Sequence, residues 1–290
     1  MPPVKPSTVL GRQLGDELRR FREAAGLSTA DAAAVLDCTK GKISRMENGH
    51  VPVRLPDLNA LVTAYGIADT RTRERLTALA RRANRRRRDG WWHEYSSVLS
   101  DAYRDQIEME AICSQMRTFQ VQVVPGLLQT AEYARAIAVT SRSWKTPEEI
   151  DQVVQVRMTR QRRLTGEDPM HFWAVLAEGV LHQQVGGPAV MAEQLAALVD
   201  LADRPNITLQ VLPFSRGAHA SMLGPYVLLG FPQPTALDLV LSETATRNTW
   251  VEREAEVVSY RALFDDARTN ALPPADSVAM IKRIAAKAKQ

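Results

Sequence analysis

The sequence predicts a two-part fold: an N-terminal all-α five-helix bundle over residues 1–84, and a C-terminal α+β domain over residues 105–290. Apolar residues recur at helical spacing through residues 10–84, while alternating and β-branched runs begin at residue 118. The charge is also uneven. Residues 1–100 carry 18 Lys and Arg against 11 Asp and Glu, whereas the remaining residues carry 19 against 22. A basic head and a mildly acidic body are typical of a nucleic-acid-binding domain joined to a different module.

The first part is predicted to contain five helices. Helix 1 covers about residues 10–25, with leucines on one face. The next two helices occupy residues 27–48. Pro56 opens a fourth helix at the favoured first position, and a fifth follows over about residues 70–84.

Residues 27–48 predict a helix-turn-helix. Ser28 and Thr39 are expected to cap the two helices, because a hydroxyl can accept a free backbone N–H at a helix start. Ile43 and Met46 form the inner face of the second helix. The outer face then holds Lys40, Gly41, Lys42, Ser44 and Arg45.

Such an outer face is typical of a helix that enters the major groove of DNA. Lys40, Ser44 and Arg45 are expected to read base edges, because Lys and Arg bond guanine and Ser donates or accepts. Lys42 and the helix starts at Ser28 and Thr39 are expected to hold phosphates. The alternative is a solvated basic face on an ordinary helical hairpin.

Residues 10–66 resemble the Xre family of helix-turn-helix repressors, which includes the phage repressors and Cro. The resemblance is carried by GLS (26–28), TKGKISRMENG (39–49) and LPDLNALVTAYGI (55–67). It implies a lambda-repressor-like bundle in which Lys40, Gly41 and Arg45 face base edges. It also implies an ion pair between Arg22 and Glu47 that ties helix 1 to the recognition helix, and a homodimer on a double-stranded DNA operator. Glycine at position 41 departs from the polar residue that the family often has there.

Residues 85–104 are predicted to be a basic and aromatic linker. Its four consecutive arginines, Arg85–Arg88, are interpreted either as an extra phosphate clamp or as a solvated connection. Trp91 and Trp92 follow. Adjacent tryptophans in a linker often dock on a neighbouring domain, and a stacking platform for bases is the alternative.

The remaining residues predict a mixture of strands and helices. The expected strands are 118–124, 171–181, 207–213, 226–232 and 237–243. Helices are expected near 130–137, 147–164, 189–202 and 252–264, followed by a last amphipathic helix around Val278, Ile281 and Ile284.

This second part has a resemblance of its own. VPGLLQTAEYARAI (124–137), VRMTRQRRL (156–164), QVLPFSRGAHASMLGPYVLLGF (210–231) and LVLSET (239–244) are similar to an actinobacterial domain of unknown function that follows Xre-type helix-turn-helix domains. The similarity covers about residues 105–285. It implies a regulator of the WhiJ kind, which is often encoded beside a small partner protein.

No catalytic or cofactor motif is apparent, since the sequence has no GxGxxG, P-loop or HExxH and its five histidines are scattered. We therefore expect no enzyme, no cofactor and no metal site. Five polar residues are expected to line an effector or partner site: Arg157, Arg160, Gln161, Glu178 and Glu243. Structural pairing of the arginines with carboxylates is one alternative. Others are an ADP-ribosyltransferase-like site for a nucleotide cofactor, and an antitoxin-like surface that binds a neighbouring gene product.

The sequence also favours a cytoplasmic protein without membrane segments. Cys38 and Cys113 are interpreted as free thiols in a reducing compartment. The N-terminus has no apolar signal segment, and prolines and glycines interrupt the long uncharged run 217–237.

Overall fold

The computed structural model describes residues 8–84, 90–141, 143–232, 238–244 and 248–288. They form two compact units, one made mainly of the first 90 residues and the other mainly of the residues from Trp91 onward. The arginine run Arg85–Arg88, interpreted as a phosphate clamp or a solvated connection, lies outside the described residues.

The first unit is all-helical, as predicted. Its helices are α1 (Val9–Ala24), α2 (Thr29–Val35), α3 (Lys40–Glu47), α4 (Leu55–Ala64) and α5 (Thr70–Ala83). Hydroxyl and carboxylate side chains at Thr8, Ser28, Thr39 and Asp69 cap four of these helices. The core consists of fully buried aliphatic side chains at helical spacing, including Leu14, Leu18, Ile43, Met46, Leu58, Leu61, Leu76 and Leu79.

The second unit is α+β. Its strands are β1 (Gln115–Gln120), β2 (His171–Ala177), β3 (Ile207–Leu212), β4 (Tyr226–Gly230), β5 (Leu239–Glu243) and β6 (Asn248–Val251). Its helices are α6 (Asp101–Ile112), α7 (Ala131–Thr140), α8 (Pro147–Arg160), α9 (Arg162–Thr165), α10 (Gly179–His182), α11 (Pro188–Ala202), α12 (Glu254–Asn270) and α13 (Pro274–Ala288).

The strands form one mixed sheet in the order β3-β2-β1-β4-β5-β6. The first three strands run parallel, because helices α7–α9 and α10–α11 carry the chain back between them. The last three pair antiparallel, with β4 against the other edge of β1. Helix α12 covers one face of the sheet, where Phe264 packs against Phe119 and Val175. Helices α11 and α13 pack against each other and against β3.

The structure corrects the predicted linker 85–104. Trp91–Tyr95 form a short 3-10 helix whose aromatic rings pack with Leu99, Ile107 and Val156 in the second unit. The second unit therefore begins near Trp91 rather than at residue 105. The interpretation of Trp91 and Trp92 as residues that dock on a domain is correct, and the stacking platform is not needed to explain them.

Strand boundaries also differ from the predicted ones. Helix α10 replaces the last part of the strand expected over 171–181, and β6 was not expected at all. Among the described residues, no helix is long and apolar enough to cross a membrane.

Candidate nucleic-acid interface and polar cluster

Side-chain caps fix the starts of α2 and α3, which are joined by a tight turn. Ser28 accepts the amide of Asp31 at 3.2 Å, and the Asp31 carboxylate accepts the amide of Ser28 at 2.8 Å. Thr39 accepts the amide of Lys42 at 3.3 Å. Between the helices, Asp37 takes a left-handed conformation with φ of 44°. Ser28 and Thr39 thus fix the geometry of the two helices, whatever else they contact.

Helix α3 lies very close to α1. A Cβ atom on Gly15 would come within 2.4 Å of the Glu47 carbonyl oxygen, so only glycine permits this approach. Ile43 and Met46 are fully buried behind the outer face. The close contact places the end of α3 against the middle of α1.

The ion pair implied by the family resemblance is present. The Arg22 Nε and Nη2 atoms donate to the two Glu47 carboxylate oxygens at 2.6 and 3.1 Å, and Nη1 donates to the Leu27 carbonyl at 2.7 Å. Both side chains are buried. The hydrogen bond to Glu47 raises the pKa of Arg22, and burial raises the pKa of the neighbouring Tyr65 to about 12. A buried, bidentate pair holds α3 at a fixed angle to α1.

Arg19 adds a second attachment that sequence reasoning missed. Its guanidinium donates to the Glu47 carbonyl at 3.2 Å and to the Asn48 side-chain oxygen at 2.8 Å. Asn48 in turn donates to the Ser44 carbonyl at 2.7 Å. The only signal in the sequence was that Arg19 lies one turn before Arg22 on the same helix.

Four of the five predicted outer-face residues are exposed, namely Lys40, Gly41, Ser44 and Arg45. Lys42 differs, because it is half-buried and its Nζ lies 3.5 Å from the Asp57 carboxylate on α4. A Cβ on Gly41 would lie 3.5 Å from the Arg45 guanidinium, an ordinary van der Waals distance, so the position does not require glycine. The outer face therefore presents two freely exposed cations and one cation that links α3 to α4.

The second unit contains a polar cluster around Arg160. Its guanidinium donates to both Glu110 carboxylate oxygens, through Nε at 2.7 Å and through Nη2, and to the Tyr103 hydroxyl at 2.5 Å. Burial opposes a charge on Arg160, but Glu110 and Tyr103 outweigh it, so the pKa of Arg160 is raised. Arg160 is thus a buried structural cation.

Arg157 and Gln161, on the same face of α8, bind the segment after β1. Arg157 donates to the Gln129 side-chain oxygen at 2.7 Å, and Gln161 donates to the Gln129 carbonyl at 2.6 Å. Within the described part of the chain, the buried Nε of Arg157 has no hydrogen-bond partner. Buried Gln194 contacts both Leu128 and Thr130 and completes the support of this segment, a role that the sequence did not indicate.

Glu243 interacts with the charges of this cluster, whereas Glu178 has other partners. Desolvation raises the pKa of Glu243, and the nearby charges of Arg160 and Arg157 oppose the shift. Glu178 instead accepts the Phe214 amide at 2.7 Å and lies 3.5 Å from His182. Glu178 follows β2 and Glu243 ends β5, three strands away in the sheet, and a shared effector or partner site for all five residues stays a prediction.

The described residues contain no group of His, Cys, Asp and Glu side chains suited to a metal ion.

Comparison with protein families gives two matches. A helix-turn-helix domain matches residues 13–76, and a domain of unknown function, DUF5753, matches residues 103–283.

No curated protein and no solved structure shows significant similarity to the chain. The DUF5753 match alone extends over more than half of the 290 residues. The resemblance to a helix-turn-helix regulator with a C-terminal domain of unknown function is thereby confirmed. The chain belongs to the DUF5753 family and carries a helix-turn-helix domain in front of the domain that defines it.

Proposed function

We propose that the protein is a sequence-specific, DNA-binding transcriptional regulator of the Xre type. The observation that carries this proposal is the geometry of α3. Its exposed face holds Lys40, Ser44 and Arg45, while the buried Arg22–Glu47 pair fixes its angle on the opposite side. A rigid helix with an exposed cationic face suits the major groove.

Within this proposal, Arg45 is the main base reader. It is exposed near the end of α3, and no carboxylate of the described residues pairs with it. Lys40 and Ser44 are assigned to neighbouring bases or phosphates. Lys42 is assigned to positioning rather than to phosphate binding, because Asp57 already holds it.

The test is an affinity measurement with Arg45→Ala. Duplexes bound by the wild-type protein are first selected from a randomised DNA library. Binding of the selected duplex and its single-base-pair variants is then measured by fluorescence anisotropy at fixed salt. We expect Arg45→Ala to lose about 1–3 kcal/mol and to relax the preference at one base pair.

Arg204→Ala is the matched control, because Arg204 is an exposed arginine of the second unit. It should leave the affinity unchanged. Equal affinity of Arg45→Ala and wild type for the selected duplex, or no sequence preference in the wild type, would contradict the proposal.

A homodimer is part of the proposal, since a single short helix contacts too few base pairs for a specific site.

We also propose that the second unit is not an enzyme and instead responds to an effector or a partner protein. Arg157, Gln161 and Glu243 are the residues assigned to an effector, and the support for this is the buried, unpartnered Nε of Arg157 together with the charge interaction between Arg157 and Glu243. Such binding would shift the affinity for DNA through the population of DNA-competent conformers.

A further inference from the structure

The second unit contains a groove of about 300 Å³ between α10 and α13. Leu181 and His182 form one side, and Met280, Arg283 and Ile284 form the other. The groove is separate from the Arg157 cluster and shares no residue with it. All of its lining residues lie in the second unit, so the groove shares no residue with the helix-turn-helix.

Helix α13 contributes a second face to this groove. Its first face, which includes Ser277 and Ile281, is fully buried. Met280, Arg283, Ile284 and Lys287 recur at i, i+3, i+4 and i+7 and line the groove together. These four residues extend over about 10 Å of helix. The groove is therefore long enough for about two turns of a second helix.

Glu178 and His182, on the opposite side of the groove, both contact Phe214, which lies beside the groove and does not line it. The Glu178 carboxylate accepts the Phe214 amide at 2.7 Å and lies 3.5 Å from His182. The Phe214 and His182 rings stack with centroids 6.1 Å apart and planes at 20°. Phe214 nevertheless remains 66% exposed. A large aromatic side chain held rigidly at the surface resembles the anchors of protein interfaces.

The charges around the groove are unbalanced. Arg283 and Lys287 are exposed, and neither pairs with an acidic side chain among the described residues. Within the part of the chain that the structure describes, Glu178 is the only carboxylate that lines the groove, and it already contacts Phe214 and His182. An apolar floor flanked by two unpaired cations favours an occupant with apolar and acidic side chains.

We propose that this groove binds an acidic amphipathic helix of a partner protein. Apolar side chains of that helix would pack on the half-buried Met280 and Ile284 and on the exposed Phe214. Its carboxylates would lie against Arg283 and Lys287. The groove would thus be the partner-binding surface of the second unit, which rests on the proposed function in which that unit responds to an effector or a partner protein.

The test uses the full chain and two labelled synthetic peptides of about 14 residues, roughly four helical turns. One peptide combines a leucine stripe with glutamate flanks, and the other replaces every glutamate with lysine. We expect the glutamate peptide to bind at least about ten-fold more tightly than the lysine peptide. The double charge reversal Arg283→Glu, Lys287→Glu should invert this preference. Phe214→Ala should weaken the binding of the glutamate peptide several-fold.

Lys282→Glu is the matched control, because Lys282 is an exposed cation of α13 that does not line the groove. It should leave the preference intact. Equal binding of the two peptides to the wild type, or an equal effect of Lys282→Glu, would overturn the proposal. If sedimentation shows a wild-type dimer that the double reversal dissociates, the groove is an interface between two copies and the proposal is also wrong. Binding of the selected DNA duplex by the double reversal variant separates this failure from that of the proposed function.

Discussion

Arg22 and Glu47 illustrate how much one buried pair can matter. Three hydrogen bonds connect the guanidinium to Glu47 and to the Leu27 carbonyl. Neither charge can reach solvent without moving α3 away from α1, because both side chains are buried at that contact. Removal of one partner would leave the other as an unpaired buried charge.

We therefore expect Arg22→Ala to destabilise the first unit by about 3–5 kcal/mol. All five tryptophans lie in the second unit, at or after residue 91. Urea unfolding followed by circular dichroism should show the loss, while tryptophan fluorescence should report an unchanged second unit. Arg20→Ala is the control, since Arg20 is exposed and Glu17 keeps its ion pair with Arg75, so the loss should stay at or below about 1 kcal/mol. An unchanged dichroism midpoint for Arg22→Ala would show that the pair has no structural role.

Because the thiol of Cys113 is buried, we expect the stability of the second unit to depend on pH. Burial raises the pKa of Cys113 to about 12, whereas an unfolded chain has a thiol pKa of about 8.5. Its contribution to stability is complete below pH 8.5 and is lost as the pH rises toward 12, because only the unfolded state then releases the proton.

We expect the second unit to lose about 2 kcal/mol between pH 8 and pH 10 from this group alone, at about 1.4 kcal/mol per pH unit. The measurement is the urea midpoint by tryptophan fluorescence. Cys113→Ala, although less stable at every pH, should show a smaller slope with pH. A slope equal to that of the wild type would mean that Cys113 is not the titrating group.

At the scale of helices, two glycines in the first unit should respond oppositely to the same change. A Cβ on Gly15 would meet the Glu47 carbonyl at 2.4 Å, whereas a Cβ on Gly41 would meet nothing closer than the Arg45 side chain at 3.5 Å. Gly15→Ala must push α3 away from α1. Gly41→Ala adds only helix propensity.

We expect Gly41→Ala to raise the stability of the first unit by up to about 1 kcal/mol. Gly15→Ala should lower it by about 1–3 kcal/mol, the usual cost of an overpacked contact. Thermal unfolding followed by circular dichroism compares the two variants directly. The prediction fails if Gly15→Ala melts at or above the wild-type temperature.

The helices could be predicted from the sequence because their signals are local. Ser28, Thr39 and Asp69 cap the helices that they precede, and the buried leucines recur with the helical period. The strands were less predictable. Short β6 depends on its ladder with β5, in which Trp250 pairs with Leu241, and no local pattern reveals that ladder.

At the scale of the whole molecule, some contacts of the sites could be predicted from the sequence and others could not. The Arg22–Glu47 pair was predictable because a family pattern supplied the long-range contact. The link from Lys42 to Asp57 and the separation of Glu178 from Glu243 were not, since both depend on how distant elements pack. Arg157 and Gln161, which are four residues apart, both contact Gln129, whereas their role toward an effector stays a prediction.

The position of β1 in the middle of the sheet has a consequence for how the nascent chain matures. Thr118 of β1 bonds the carbonyl of Tyr226 in β4, 108 residues further along the chain. At roughly 5–20 residues per second, the ribosome delivers that partner about 5–20 s after β1 itself. The five helices of the first unit, by comparison, all lie before residue 84 in the chain. The helix-turn-helix can therefore assemble early, while one edge of β1 keeps its backbone N–H and C=O groups unpaired until β4 emerges.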